Sequence, residues 1–178
     1  GNFAGTGNSL ANQITGGNGA DTLDGGTGND TLVGGNGNDI YVVDSAGDAI
    51  TEGATGGVDT IRTTLTSMTL DPLKRVENLA YAGSGTFAGT GDSGNNAIAG
   101  GAGTDTLNGG AGTDTYRFGR GSGHDVIDNI LLPSGLRHGY GHLIHFAHLG
   151  FLAFTKPFRC GFTVLTPSVL GVGAYPNN

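Results

Sequence analysis

A large apolar residue returns every nine positions along much of this chain, set among small and polar neighbours. It falls at Ile14, Leu23, Leu32 and Tyr41, and again at Ile98, Leu107, Tyr116 and, after a two-residue insertion, Ile127. Nine matches neither the 3.6-residue period of a helix nor the strict alternation of a long strand, and no stretch shows a convincing helical period. The first array runs GNSLANQIT (7–15), GGNGADTLD (16–24), GGTGNDTLV (25–33) and GGNGNDIYV (34–42). The second runs GDSGNNAIA (91–99), GGAGTDTLN (100–108), GGAGTDTYR (109–117) and, past the insertion, RGSGHDVID (120–128). The arrays also match each other at an offset of 84, with 19 of the 29 positions from 3 to 31 identical. That is a duplicated internal repeat, and it takes precedence over any local reading.

The shared rule is Gly-Gly-x-Gly-x-Asp-x-U-x, with U large and apolar. One such residue per nonad cannot fill a globular core. It can fill a narrow solenoid in which inward side chains stack on those of neighbouring coils. The segment between the arrays loses the nonad but keeps a strand-like texture. Thr60–Leu70 is rich in β-branched residues and predicts one strand, and Val76–Tyr81 predicts another. The expected organisation is therefore a first array at 1–42, a β-rich spacer at 43–86, a second array and cap at 87–129, and a distinct tail at 130–178.

Composition sharpens this picture. Glycine supplies 37 of 178 residues, which argues against a helical bundle, while the in-register glycines and 5 prolines exclude collagen. All fifteen acids lie at or before Asp128, so residues 1–129 carry a formal charge of −10 and the remainder +3. Such a balance argues against a nucleic-acid-binding face. The single cysteine, Cys160, excludes an internal disulfide framework, and no apolar run approaches a membrane span. The chain opens Gly-Asn-Phe with Met68 as its one methionine, which reads as a fragment or processed piece.

The repeat carries its own chemistry. Glycines permit tight turns and leave backbone carbonyls uncovered. The aspartate at the sixth position sets a hard carboxylate beside them. Oxygen-only ligation selects Ca²⁺ over zinc or copper. Parallel strands lie about 4.8 Å apart, the span of two Ca–O bonds of about 2.4 Å, so an ion fits between stacked turns.

These nonads, most fully at 16–42 and 100–117, resemble the RTX family, the haemolysin-type calcium-binding repeats of proteins exported by type I secretion. The resemblance covers residues 1–128. It implies an all-β parallel β-roll, a β-solenoid whose turns alternate between two edges and hold calcium between turn n and turn n+2. Carried over by position, Asp21 pairs with Asp39 and Asp105 with Asp125, while Asp30 and Asp114 face Asn12 and Asn96. The implied further ligands are carbonyls of Gly17, Gly19, Gly26, Gly28, Gly35, Gly37, Gly101, Gly103, Gly110 and Gly112. The same resemblance implies a secreted, extracellular or cell-surface protein, type I secretion machinery as partner, and a structural rather than catalytic role. A module that binds polysaccharide or a host surface is the alternative.

Other features carry less. Asp24, Asp44, Asp48, Asp59 and Asp71 read as surface or turn aspartates. Gly89-Thr-Gly-Asp-Ser-Gly94 matches a dinucleotide-binding pattern but opens a repeat array instead of joining a strand to a helix. No nucleophile, base and oxyanion donor assemble into a catalytic set. Arg117, Arg120 and His124 beside Tyr116 and Phe118 read as a capping turn in preference to a saccharide patch. Thr22, Thr31, Thr106 and Thr115 form no ice-binding ladder if consecutive nonads alternate edges. In the tail, His138, His142, His145 and His148 would share one face of a helix and suit a transition metal. The tail has no acid, and it reads as a frameshifted frame in preference to an unrelated extension, with poor order expected.

Overall fold

The computed structural model describes residues 1–53, 55–71, 75–118 and 122–128, together with the strands His142–His145 and Leu152–Thr155. Among these residues every regular element is a strand. Up to residue 127 successive strands alternate between two walls, because each nonad makes one short strand and one turn. The first wall is a single eight-stranded sheet. It takes β1 (Ala4–Thr6), β3 (Thr22–Asp24), β5 (Ile40–Val43), β7 (Thr60–Thr63), β9 (Asn78–Tyr81), β11 (Ala97–Ala99) and β13 (Thr115–Phe118), and ends on β16 (Leu152–Thr155). The second wall has two sheets. One joins β2 (Gln13–Asn18), β4 (Thr31–Asn36) and β6 (Ala49–Thr51). The other joins β8 (Ser67–Thr69), β10 (Ala88–Thr90), β12 (Thr106–Asn108), β14 (His124–Ile127) and β15 (His142–His145).

Pairing is parallel within the roll, with Ala4 beside Thr22 and Thr22 beside Ile40, two nonads apart each time. This is the parallel β-roll that the repeat implied. The first wall runs unbroken through the spacer, since β5, β7, β9 and β11 pair in turn. The second wall divides between β6 and β8, where the nonad is lost.

The U residues point inward as the repeat predicts. Leu23, Leu32, Tyr41, Ile98, Leu107, Tyr116 and Ile127 are buried in one core, and Ile14 packs against its end. The spacer supplies Ile50, Ile61 and Leu79 to the same column of side chains. Positive φ at Gly35 (+106°) and Gly37 (+128°) turns the chain so tightly that a Cβ on either would collide with the carbonyl oxygen of Gly17 or Gly19. Only glycine fits there.

Two expectations are corrected. Thr60–Leu70 is not one strand: it divides into β7 and β8 on opposite walls. The cause is Thr63, whose buried hydroxyl donates to Val43 O (2.8 Å) and accepts from Leu65 N (3.0 Å), turning the chain where the narrow roll ends. In the tail, 142–145 is a strand lying antiparallel to β14, so helical spacing does not bring His142 and His145 together. His138 and His148 lie outside the described residues, as does most of 130–178.

Candidate metal centre

In most nonads the strand follows the sixth position, an Asp or Asn, and these positions stack into ladders along the edges of the roll. The amide of Phe3 donates to Asp21 Oδ1 (2.7 Å), that of Asp21 to Asp39 Oδ1 (2.8 Å), and that of Asp39 to Asp59 Oδ1 (2.7 Å). Asp59 N then donates to Glu77 Oε2 (2.8 Å). On the other edge Asn12 N donates to Asp30 Oδ1 and Asp30 N to Asp48 Oδ1. In the second array Asn96 N donates to Asp114 Oδ1, Phe87 N to Asp105 Oδ1 and Asp105 N to Asp125 Oδ1. Parallel pairing sets the step: one coil on, the same position recurs directly above.

The predicted neighbours therefore stand together: Asp21 with Asp39, Asp105 with Asp125, Asp30 with Asn12, Asp114 with Asn96. The two residues inserted before Arg120 do not displace Asp125, which sits twenty residues from Asp105 instead of eighteen and still accepts its amide. Arg120 itself lies outside the described residues. The turn glycines bring carbonyls into the same edges. Gly17 O faces Gly35, Gly19 O faces Gly37 and Gly103 O faces Gly123. Gly26 and Gly28 stack on the carbonyls of Asn8 and Leu10, and Gly110 and Gly112 on those of Asp92 and Gly94. Gly101 faces Tyr81 O.

Burial makes these carboxylates unusual. Asp21, Asp30, Asp39, Asp59, Asp105, Asp114 and Asp125 are each at most 1% exposed. One oxygen of Asp21, Asp30, Asp39 and Asp105 takes an amide proton, yet the other, Oδ2, is buried with no hydrogen-bond partner. Burying a charge so costs several kcal/mol unless a counter-charge arrives. Burial pushes Asp105 up to about 6, opposed by the Phe87 amide and aided by the charge of Asp125. Burial likewise raises Asp39 and Asp125 above the ordinary range. The donor set is oxygen throughout, and the orphaned oxygens suit a hard divalent cation.

The sequence reading missed part of the ladder. Asp59, read as a surface or turn aspartate, is fully buried, and Asp48 is half-buried and holds the Asp30 amide. Glu77 takes the same place in the next coil. The signal was present, since Asp48-Ala-Ile50, Asp59-Thr-Ile61 and Glu77-Asn-Leu79 each keep the acid-x-U core of the nonad after its glycines are lost. Asp24 does serve a turn, accepting from Gly26 N (3.0 Å). At the far end Tyr116 and Phe118 are buried, while Arg117 and His124 are exposed. The threonines divide as expected, Thr22 and Thr115 on one wall and Thr31 and Thr106 on the other.

A glycine-turned parallel roll with buried acids stacked along its edges is the architecture of a repeat protein suited to bind a hard cation. Compared with known families, the chain matches the haemolysin-type RTX calcium-binding nonapeptide repeat, four copies, over residues 6–41 and 90–125. Those two segments are RTX-type repeats, and Ca²⁺ is the ion such repeats take. No curated protein matches the chain. No helix among the described residues is long and apolar enough to cross a membrane.

Proposed function

We propose that this chain is a calcium-binding structural module that folds on meeting calcium outside the cell. In this reading the ions lie between turns one coil apart. They are held by Asp21 with Asp39, Asp105 with Asp125, Asp30 with Asn12 and Asp114 with Asn96, together with carbonyls of the two turn glycines of each nonad. The observation that carries it is the set of buried, unpartnered Oδ2 atoms on Asp21, Asp30, Asp39 and Asp105. Without cations these carboxylates repel one another, and a glycine-rich chain keeps a large conformational entropy. With cations the ladders are neutralised and the U residues stack, so binding free energy becomes folding free energy.

A cell interior low in calcium would then keep the chain extended for type I export, and external calcium would fold it at the surface or in the medium. The role is structural. The saccharide-binding alternative gains nothing at the Arg117 end, where the neighbouring aromatic residues Tyr116 and Phe118 face the core. The test is far-ultraviolet circular dichroism of the chain titrated with calcium and, separately, magnesium. Calcium should convert a disordered spectrum to a β-rich one, and magnesium far less, because it demands octahedral geometry and keeps its waters. A spectrum already β-rich in excess chelator overturns metal-coupled folding.

A further inference from the structure

The turn that leaves β6 breaks the repeat rule in one informative way. Val33 stands beside Thr51 in the β4–β6 pairing, so the first glycine of the nonad, Gly34, is matched one coil on by Glu52. That turn also reaches its aspartate, Asp59, two residues later than Gly34 reaches Asp39. In the regular nonads this place is Gly16, Gly25, Gly100 or Gly109, tucked against the Oδ2 of the aspartate in its own turn. At the other lengthened step it is Phe118, apolar and buried. Here it is an acid on a longer turn.

The result is a convergence of charge. Asp39, Glu52 and Asp59 each bring a carboxylate oxygen to within 4.8 Å of the others, with both aspartates buried and Glu52 half-buried. Asp39 Oδ2, Asp59 Oδ2 and Glu52 Oε1 are all buried without a hydrogen-bond partner. An independent group points into the same space. The hydroxyl of Tyr41, a fully buried residue, is also unpartnered, and with Asp39 Oδ2 and Glu52 Oε1 it crowds the position that a Cβ on Gly34 would fill. Glu52 Oε2 and Asp59 Oδ2 meet in the same way beside Gly56. Ionised carboxylates cannot satisfy one another, and three of them buried together need a counter-ion. Two Ca–O bonds of about 2.4 Å span about 4.8 Å, and these oxygens all lie within 4.8 Å of one another.

We propose that Asp39, Glu52 and Asp59, with the Tyr41 hydroxyl at its margin, hold a calcium ion of their own where the first array passes into the spacer. The site rests on the calcium reading above but departs from its ligand pattern, since a spacer glutamate stands where the nonad has glycine. Affinity in oxygen-ligand sites rises with ligand charge, and three carboxylates exceed the two of a stacked aspartate pair. This site therefore fills first, and it fastens the Glu52–Asp59 turn to the nonad turn beneath it.

The test titrates the full chain with calcium by calorimetry and with terbium(III), a hard ion of similar size whose emission is excited through a nearby tyrosine. Glu52→Gln should lose one equivalent from the tightest class, or weaken it at least about tenfold, with loss of the earliest terbium emission. Asp105→Asn should keep that early phase and lose a later one. Tyr41→Phe should keep the calcium equivalents while losing the early emission, which preserves the test if Glu52→Gln folds poorly. A Glu52→Gln chain that titrates like the parent, or a Tyr41→Phe chain that keeps the early emission, overturns this site and leaves the nonad reading standing. A parent chain that binds no calcium overturns both.

Discussion

Leu79→Ala separates folding from ligation, because it removes core without touching a ligand. Leu79 lies in β9, in the spacer, 1% exposed and in register between Ile61 and Ile98. Truncating such a leucine costs about 2–5 kcal/mol. If folding and calcium binding are one event, that loss must be offset by more calcium, through RT ln of the concentration ratio at every site. The proposed reading has four ladder sites, at Asp21/Asp39, Asp105/Asp125, Asp30/Asn12 and Asp114/Asn96. Shared over about four ions, a loss of about 3 kcal/mol raises the calcium midpoint about 3.5-fold, and the full range spans roughly 2- to 8-fold. The assay is circular dichroism against buffered free calcium, with calorimetry for stoichiometry. The midpoint should move while the number of ions stays constant and the transition stays single. An unchanged midpoint, or a transition that splits in two, would falsify the idea that the unbroken first wall couples the arrays.

Asp39→Ala should raise the calcium midpoint more than Asp30→Ala, since Asp39 stacks between Asp21 and Asp59 whereas Asp30 lies between Asn12 and Asp48; equal shifts refute the pairing. Acid should partly replace calcium. Burial, with repulsion from neighbouring acids, raises Glu52 to about 7 and Asp59 to about 6, and burial raises Asp105 to about 6. Folded values above the unfolded ones mean stability that is full below about pH 4 and lost as pH rises through about 6 to 7. The calcium-free chain should thus gain β-structure on acidification across that window, and a chelated chain equally disordered at both ends counts against the burial argument. Gly35→Ala meets both a left-handed φ, costing about 1–2 kcal/mol, and the Gly17 carbonyl, so its midpoint should rise at least about twofold. Gly53→Ala, whose Cβ would only touch Gly35 O at 3.4 Å, should stay near the parent, and similar effects at the two positions would discredit the steric account.

The two nonad arrays were legible because every constraint in them is local and periodic. Glycine sets the turn, U sets the inward face, and aspartate two places before U falls at the edge by geometry alone. Ladder neighbours followed from the two-nonad step that the resemblance to RTX repeats implied. The spacer was harder, since its coils keep the roll by different means. Thr63 looked like the middle of a long strand, and only the width of the roll and the Val43 carbonyl make it a turn. Asp59 looked like a surface residue because its preceding glycines fall out of register; in the fold it meets Glu52 of its own lengthened turn and Asp39 of the neighbouring coil. Chemistry assembled across coils of unequal length is not written in any one window of sequence.

The spacer also shows what replaces calcium. In β3 one inward residue, Leu23, is followed by Gly25, whose missing side chain leaves room for the Asp30 carboxylate. In β5, β7 and β9 the equivalent place holds Val43, Thr63 and Tyr81, in register and all buried. Tyr81 then stacks on Phe87 with ring centroids 4.7 Å apart. These strands bury two side chains where β3, β11 and β12 bury one, so more of their stability comes from packing and less from metal. It follows that the calcium-free chain should hold residual structure in the spacer rather than in the arrays. Hydrogen exchange in excess chelator is expected to find its strongest protection in β7 and β9, the paired strands of that packed spacer core. Protection centred instead on residues 16–42 would mean that the carboxylate ladders stabilise the roll without their ions, and the account of metal-coupled folding would fail with it.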